Sequence, residues 1–253
     1  MRGLEQGSRL TEALRRARAD GGACAFVTFH RVLETEDLAT DTVMPRVQFE
    51  AFLDAFADRY TVMSAGDAFQ AHAQNALPRN GLVLTFDDGY EDLATVIAPL
   101  LKLRNIPATF FIASKYLTGT EGLSNDQLKE LAACPLIEIG GHTRSHPHLR
   151  ELSRQQQREE IVGNKSELEA IVGAELLSFA YPYGRRVDVD RSAMRAVRKA
   201  GYLGACTTQA LQKPELGILC RGADPYQTYR LATNRTDPAT LCARIDYLLG
   251  LER

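Results

Sequence analysis

Beyond residue 20 the chain alternates short apolar, β-branched runs with longer stretches whose apolar positions recur every three or four residues. The runs at 23–30, 81–86, 108–112, 136–140, 177–180 and 203–207 are four to eight residues long, which predicts strands rather than helices. Between them Phe49/Phe52/Leu53/Phe56, Leu93/Ile97/Leu100/Leu101, Leu128/Leu131/Ala132, Ile161/Leu168/Ile171 and Met194/Val197 have helical spacing. A last helix is expected over about 238–249. Ser124 with Gln127, and Ser153 with Gln156, have the spacing of a capping box, in which side chains satisfy free N–H groups of the first turn. Such alternation predicts parallel strands with helical crossovers, closed as a barrel or open as a doubly wound sheet. No Gly-x-Gly-x-x-Gly follows the first strand, which counts against a dinucleotide-binding sheet. The polar residues of chemical interest sit at the C-terminal ends of separate strands, where barrels carry their sites. The stretch 208–229, with Pro214, Gly217, Gly222 and Pro225, predicts a long irregular excursion at the rim.

Composition narrows the class without naming a chemistry. A length of 253 residues suits one barrel, so 1–253 is read as a single domain with 1–20 as an N-terminal helical extension. The formal net charge of −2 provides no general pull toward nucleic acid or an anionic membrane. Arg15, Arg16 and Arg18 are expected on a solvated helix face. Cys24, Cys134, Cys206, Cys220 and Cys242 are odd in number and form no Cys-x-x-Cys pair, which counts against a thiolate metal site or disulfide framework and predicts mostly reduced core thiols. The first twenty residues have no apolar h-region, and no run approaches the roughly 18 apolar residues of a membrane span. A cytoplasmic protein with no membrane span is therefore expected.

The chemistry concentrates at two strand ends. Leu82-Val83-Leu84-Thr85-Phe86 runs into Asp87-Asp88-Gly89, and Tyr90-Glu91-Asp92-Leu93 then opens a helical pattern rather than the second arm of a hairpin. Adjacent carboxylates repel unless a cation or proton separates them. About fifty residues later, Ile137-Glu138-Ile139-Gly140-Gly141 runs into His142-Thr143-Arg144-Ser145-His146. Histidines at i and i+4 meet on one side of a helical turn, a recurrent metal-binding arrangement. Gly140 and Gly141 are expected to allow an unusual backbone before that turn, and Pro147 to stop it. His148 is read as a surface or supporting residue. One carboxylate and two imidazoles suit Zn²⁺, Co²⁺, Ni²⁺ or Fe²⁺ and leave coordination positions for water and substrate. The second carboxylate is then available as general base, which points to metal-assisted hydrolysis. The same ligands could serve a non-haem iron oxygenase, though Asp87 would have no purpose there.

These motifs, with Ile106-Pro107-Ala108-Thr109-Phe110-Phe111 and Phe179-Ala180-Tyr181-Pro182-Tyr183-Gly184, resemble the signatures of the polysaccharide deacetylases, the NodB-homology or family 4 carbohydrate esterases. The likeness runs in order from about residue 23 to 235. It implies a distorted (β/α)7 TIM-like barrel and metal-dependent removal of an acyl group, by expectation acetyl, from an amino sugar. By motif position Asp87 is the implied general base, and Asp88, His142 and His146 hold the metal, with Zn expected first and Co or Ni as alternatives. Tyr183 offers a backbone N–H to the developing oxyanion, and Pro182, Tyr181 and Arg230 are expected beside the substrate.

Two features depart from that pattern. Ala180 stands where many members have an arginine that orients the base, and no histidine follows His148 to act as general acid. Phe29-His30-Arg31-Val32 is similar to the N-terminal entry of the poly-N-acetylglucosamine deacetylase branch, which makes His30 the candidate acid. Arg230, similar to a late arginine in such proteins, is the candidate partner of Asp87. The implied substrate is an acylated amino-sugar oligosaccharide or a lipid-linked glycan. An N-formyl group is an open variant, and a carbohydrate-binding protein with impaired catalysis is the alternative that the two departures suggest. The segments 115–122 and 209–229 are expected to shape the groove.

Overall fold

The first apolar run is buried along its whole length because it lies between neighbours in a closed sheet. The computed structural model describes residues 22–34, 42–209, 218–233 and 236–251. The expected N-terminal helix and its arginines lie outside those residues. In chain order the elements are β1 (Ala23–Phe29), β2 (Arg31–Leu33), β3 (Val43–Pro45), α1 (Arg46–Ala57), β4 (Thr61–Met63), α2 (Ala65–Ala73), β5 (Gly81–Phe86) and α3 (Ala98–Arg104). They continue as β6 (Ala108–Ile112), α4 (Asn125–Ala132), β7 (Ile137–Gly141), α5 (Arg154–Val172), β8 (Ser178–Ala180), α6 (Arg191–Lys199), β9 (Gly204–Thr207), β10 (Leu219–Cys220), β11 (Thr228–Ala232) and α7 (Pro238–Leu249).

Strands β1, β5, β6, β7, β8, β9 and β11 pair in parallel in that order, and β11 returns to β1 to close a seven-stranded barrel. The ring is distorted at β5, whose first half pairs with β4 and whose second half pairs with β6. This is the (β/α)7 architecture that the resemblance implied. The six strand runs read from the sequence agree with the structure to within a residue at each end. Both capping boxes form, at the starts of α4 and α5. The seventh strand, β11, lies partly inside and just past the stretch expected to be irregular. All five cysteines are free thiols, and no described helix is long and apolar enough to cross a membrane.

The two-residue period of each strand separates two environments. Phe29, Phe86 and Phe110 face outward, where Phe29 and Phe86 stack at 5.1 Å and meet Phe49 of α1 edge to face. Cys24, Phe26, Val83, Phe111 and Cys206 fill the interior together with Ala65, Ala68 and Phe69 of α2. Gly140 is required by this crowding: a Cβ there would lie 2.5 Å from the Phe111 ring. The expected unusual backbone at Gly140 and Gly141 is not found. Both are ordinary strand residues, and close packing is what excludes a side chain.

Helix α2, which the apolar pattern did not reveal, packs into the barrel end opposite the strand termini that carry the site. Its first N–H groups are met from inside the barrel: Ala65 N donates to Thr109 Oγ1 and Gly66 N to Glu138 Oε2, each at 2.8 Å. Glu138 also accepts from the Thr109 and Ser178 hydroxyls. Burial holds the Glu138 carboxyl above the usual carboxylate range, against the pull of these donors. Glu138→Ala strips acceptors from several buried donors at once. Urea unfolding is expected to show a loss of about 2–4 kcal/mol, since each orphaned donor costs about 1–3 kcal/mol. A change below about 0.5 kcal/mol, the usual surface range, would show that the network carries no stability.

Candidate active site

The C-terminal mouth of the barrel collects the polar strand ends. The inward phase of β5 passes through Val83 and Thr85 to Asp87, and that of β1 through Phe26 and Thr28 to His30. Past Asp87 the chain turns sharply, with Asp88 at φ 81° and Gly89 at φ 104°. The Asp88 carbonyl accepts from Ala113 N at the end of β6, which ties the turn to the neighbouring strand. Among the described residues, the non-glycine ones with positive φ elsewhere are the asparagines Asn75 and Asn105. Those at the mouth are Asp88, Thr143, His146 and Tyr183. A left-handed conformation costs such residues about 1–2 kcal/mol each, so the surrounding structure must hold them.

His142 and His146 do come together, but not on a helical turn. The segment between them is an irregular loop with left-handed Thr143 and His146. Helix α5 imposes this shape. Glu160 accepts from the N–H groups of Arg144 and Ser145, each at 2.9 Å, and from the Ser145 hydroxyl. Asn164, wholly buried, accepts from His142 N and donates to the Ile112 carbonyl. Neither residue was singled out from the sequence. The available signal was Asn164, a polar side chain at a position where the Ile161–Leu168 spacing calls for an apolar one.

Asp88, His142 and His146 each turn a ligand-type atom to one point, all within 4.8 Å of one another. The Nε2 atoms of His142 and His146 lie 3.5 Å and 3.4 Å from Asp88 Oδ1. Two ligands on a tetrahedral ion with bonds of about 2.1 Å are about 3.4 Å apart, so the spacing fits a divalent cation. The donor chemistry fits as well. His142 Nδ1–H donates to the Ala180 carbonyl at 2.7 Å, which leaves the Nε2 lone pair toward the cluster. Asp88 Oδ1 is buried and has no hydrogen-bond partner among the described residues. Burial and the nearby His142 hold His146 down to about 4, so its ring is neutral at pH 7. Burial would depress His142 too, but Asp87 and Asp88 outweigh it and raise that ring. The field that favours a proton there also favours a cation.

Asp87 belongs to a different environment. Arg230, an inward residue of β11, is fully buried and grips the carboxylate bidentately, NH1 to Oδ1 at 2.6 Å and NH2 to Oδ2 at 2.7 Å. NH1 also donates to Thr85 Oγ1, and the guanidinium lies 5.5 Å over the Phe111 ring. Burial pushes the Asp87 carboxyl up, but Arg230, His142 and His30 together drive it well below the usual carboxylate range. Each carboxylate oxygen still has a lone pair beyond the one that Arg230 uses. Arg230 was expected beside the substrate as well as near Asp87. It is completely buried, and its guanidinium meets the Asp87 carboxylate.

His30 follows β1, close enough to Asp87, Asp88 and His146 for its charge to bear on all three. Its Nδ1 is buried without a hydrogen-bond partner among the described residues. Tyr183 is 43% exposed at the rim, and its N–H meets no acceptor among the described residues. Pro182 is buried beneath it. Tyr181, expected beside the substrate, is instead a core residue. It is fully buried, its ring packs on Phe179 and its hydroxyl donates to the Tyr226 carbonyl, because the strand period points it away from the mouth. Tyr116 lies 6.2 Å from the His146 ring and 6.1 Å from Tyr90, whose ring Arg31 covers.

The profile of the polysaccharide deacetylases matches residues 74–205, a span that contains Asp87, Asp88, His142, His146 and Tyr183, and the chain belongs to that family. It is 31% identical over 190 residues to the putative polysaccharide deacetylase YxkH of Bacillus subtilis, over 74% of this chain and 64% of that protein. Over 137 residues it is 28% identical to the poly-β-1,6-N-acetyl-D-glucosamine N-deacetylase of Escherichia coli, over 46% of this chain and 20% of that protein. The chain thus spans less than two thirds of the length of these curated relatives. The Streptococcus pyogenes deacetylase PplD, solved with acetate, superposes with a TM-score of 0.76 at 22% identity, over 88% of this chain and 98% of that one. IcaB from Ammonifex degensii gives 0.66 at 21% identity, over 90% and 97%. Both share the fold.

Proposed function

We propose that this chain is a divalent-metal-dependent hydrolase that removes an N-acyl group, acetyl by preference, from an amino sugar of an oligosaccharide or glycan precursor. The observation that carries the reading is the separation of roles between adjacent carboxylates. Asp88 has an orphaned oxygen turned to two imidazoles, while Asp87 is held off by a buried arginine. The E. coli relative's polymer of N-acetylglucosamine supports an amino sugar as the substrate class.

Asp88, His142 and His146 would hold the cation, which when bound polarises the acyl oxygen and acidifies water. Zn²⁺ suits the N₂O donor set, and Co²⁺ or Ni²⁺ would also fit it. Asp87, kept ionised by Arg230, takes the proton of the attacking water. The Tyr183 N–H donates to the acyl oxygen as it gains charge, an interaction strongest in the transition state. His30 returns a proton to the departing nitrogen, so that water and amide become acid and amine.

The test is release of acetate, with one new amine per acetate, from β-1,6- and β-1,4-linked N-acetylglucosamine oligomers by protein loaded with Zn²⁺, Co²⁺ or Ni²⁺. Formate release from N-formyl sugars would identify the other acyl group. No acid released from any acylated amino sugar with any of the three metals would refute the hydrolase. The binding-only alternative rested on the replaced arginine and the absent late histidine. Arg230 and His30 weaken both motives. His30→Ala is expected to lower kcat about 10²–10⁴-fold with the affinity for Zn²⁺ within threefold, the usual weight of a general acid. Full activity of that variant across the pH range would remove His30 from the mechanism.

A further inference from the structure

Tyr183 presents a physical problem. It is a half-exposed tyrosine in a left-handed conformation, φ 58°, followed by Gly184 at φ 65°, and burial alone does not hold it there. Its ring nevertheless packs against two histidine rings. His146 meets it edge-on at 4.7 Å, and His148 stacks flat against it at 3.9 Å with 10° between the planes. On the far flank Thr208 fastens the same segment, its hydroxyl donating to the Tyr183 carbonyl and its N–H to the Gly184 carbonyl.

The His148 ring is itself oriented. Its Nδ1–H donates at 2.9 Å to Oδ1 of Asp188, a buried carboxylate. Asp188 also accepts from the backbone N–H and guanidinium of Arg185, two residues past Tyr183. Its own carbonyl accepts from Arg150 N, in the loop that carries His148. One aspartate therefore joins the loop after β7, which bears the metal-ligand candidates, to the loop after β8, which bears the oxyanion donor. The 35% exposure of the His148 side chain makes it a minor contributor to the core.

We propose that His148, aligned by Asp188, is a positioning residue that fixes the Tyr183 N–H relative to the Asp88–His142–His146 cluster. The inference rests on the reading of Tyr183 as the oxyanion donor. A displacement of a reacting group by about 1 Å can cost about 10²-fold in rate without weakening substrate binding, so the device should register in kcat rather than KM.

The experiment compares wild type, His148→Ala, His148→Phe, Tyr183→Ala and the double variant His148→Ala/Tyr183→Ala, each loaded with Zn²⁺. His148→Ala is expected to lose about 10–100-fold in kcat, with KM and Zn²⁺ affinity within about threefold and Tm within about 2 °C. His148→Phe keeps the stacking plane and is expected to recover most of the loss. In the double variant the His148 substitution should add nothing to Tyr183→Ala, because the ring it acts through is gone. A readout independent of turnover is hydrogen exchange: the Gly184 and Thr208 amides should exchange at least about tenfold faster in His148→Ala, with α5 unchanged. Unaltered exchange at those amides, or losses that multiply in the double variant, overturns the proposal. A wild-type protein inactive on every acylated sugar but with the faster exchange in His148→Ala would instead condemn the hydrolase reading and leave the clamp standing.

Discussion

Asp88→Ala is expected to lower the affinity for Zn²⁺ by more than about 100-fold and to reduce deacylation to background. The estimate is conservative, since loss of a group that only supports a ligand already costs about 10–100-fold. Asp88 is the one charged donor of the cluster, and Oδ1 lies within 3.5 Å of both Nε2 atoms. Alanine at φ 81° adds backbone strain of about 1–2 kcal/mol, so Asp88→Asn, which tolerates that conformation, separates lost charge from lost fold. Calorimetric titration with Zn²⁺ and metal content after dialysis measure the effect. One equivalent of Zn²⁺ held at wild-type affinity by Asp88→Ala would refute the ligand set.

Asp87→Asn is expected to act oppositely on the two observables, keeping Zn²⁺ within a few-fold and lowering kcat by about 10²–10⁴-fold. It should also destabilise the protein, because Arg230 is wholly buried and would lose its anionic partner. Breaking one side of a buried ion pair costs about 3–5 kcal/mol, whereas replacing both sides with apolar groups is often neutral. Arg230→Met should therefore be comparably unstable, while Asp87→Leu/Arg230→Met regains most of the stability and none of the activity. Urea unfolding distinguishes these cases, and single variants within 1 kcal/mol of wild type would refute the account. The pH dependence follows in sign. A carboxyl held below its unfolded value stabilises the fold above that value and ceases to do so as protons are added. The stability that the ionised pair gives the wild type should thus be complete above about pH 4 and fade below it, so the deficit of Arg230→Met is expected to narrow as the pH falls.

Much of the frame could be read from local pattern. The strands of 81–86 and 108–112 are buried on both faces, so they appear as runs of apolar residues broken only by one threonine each. The capping boxes at Ser124 and Ser153 form because their partners are three residues away and need nothing else. Other elements had no such local cause. The five residues of β11, with polar Thr228 and Arg230 in the inward phase, become a strand only by pairing between β1 and β9. Helix α2 has a glycine at its second position and few large apolar residues, and it is held by Phe69 stacked on Phe26 inside the barrel. The spacing of His142 and His146 suggested a helical turn, but Glu160 and Asn164 on α5 supply better partners for that backbone than the turn itself.

By itself, the order of residues determined an alternation of strands and helices and the short list of groups able to do chemistry, because each depends on near neighbours along the chain, while the closed barrel came only from the resemblance of the motifs. Only the tertiary structure decided what surrounds each of those groups. Asp87 and Asp88 are adjacent and chemically identical, and they differ because Arg230, 143 residues from Asp87, closes the barrel against one of them while two imidazoles face the other. Such a difference arises from burial and distance in space, which no local pattern encodes.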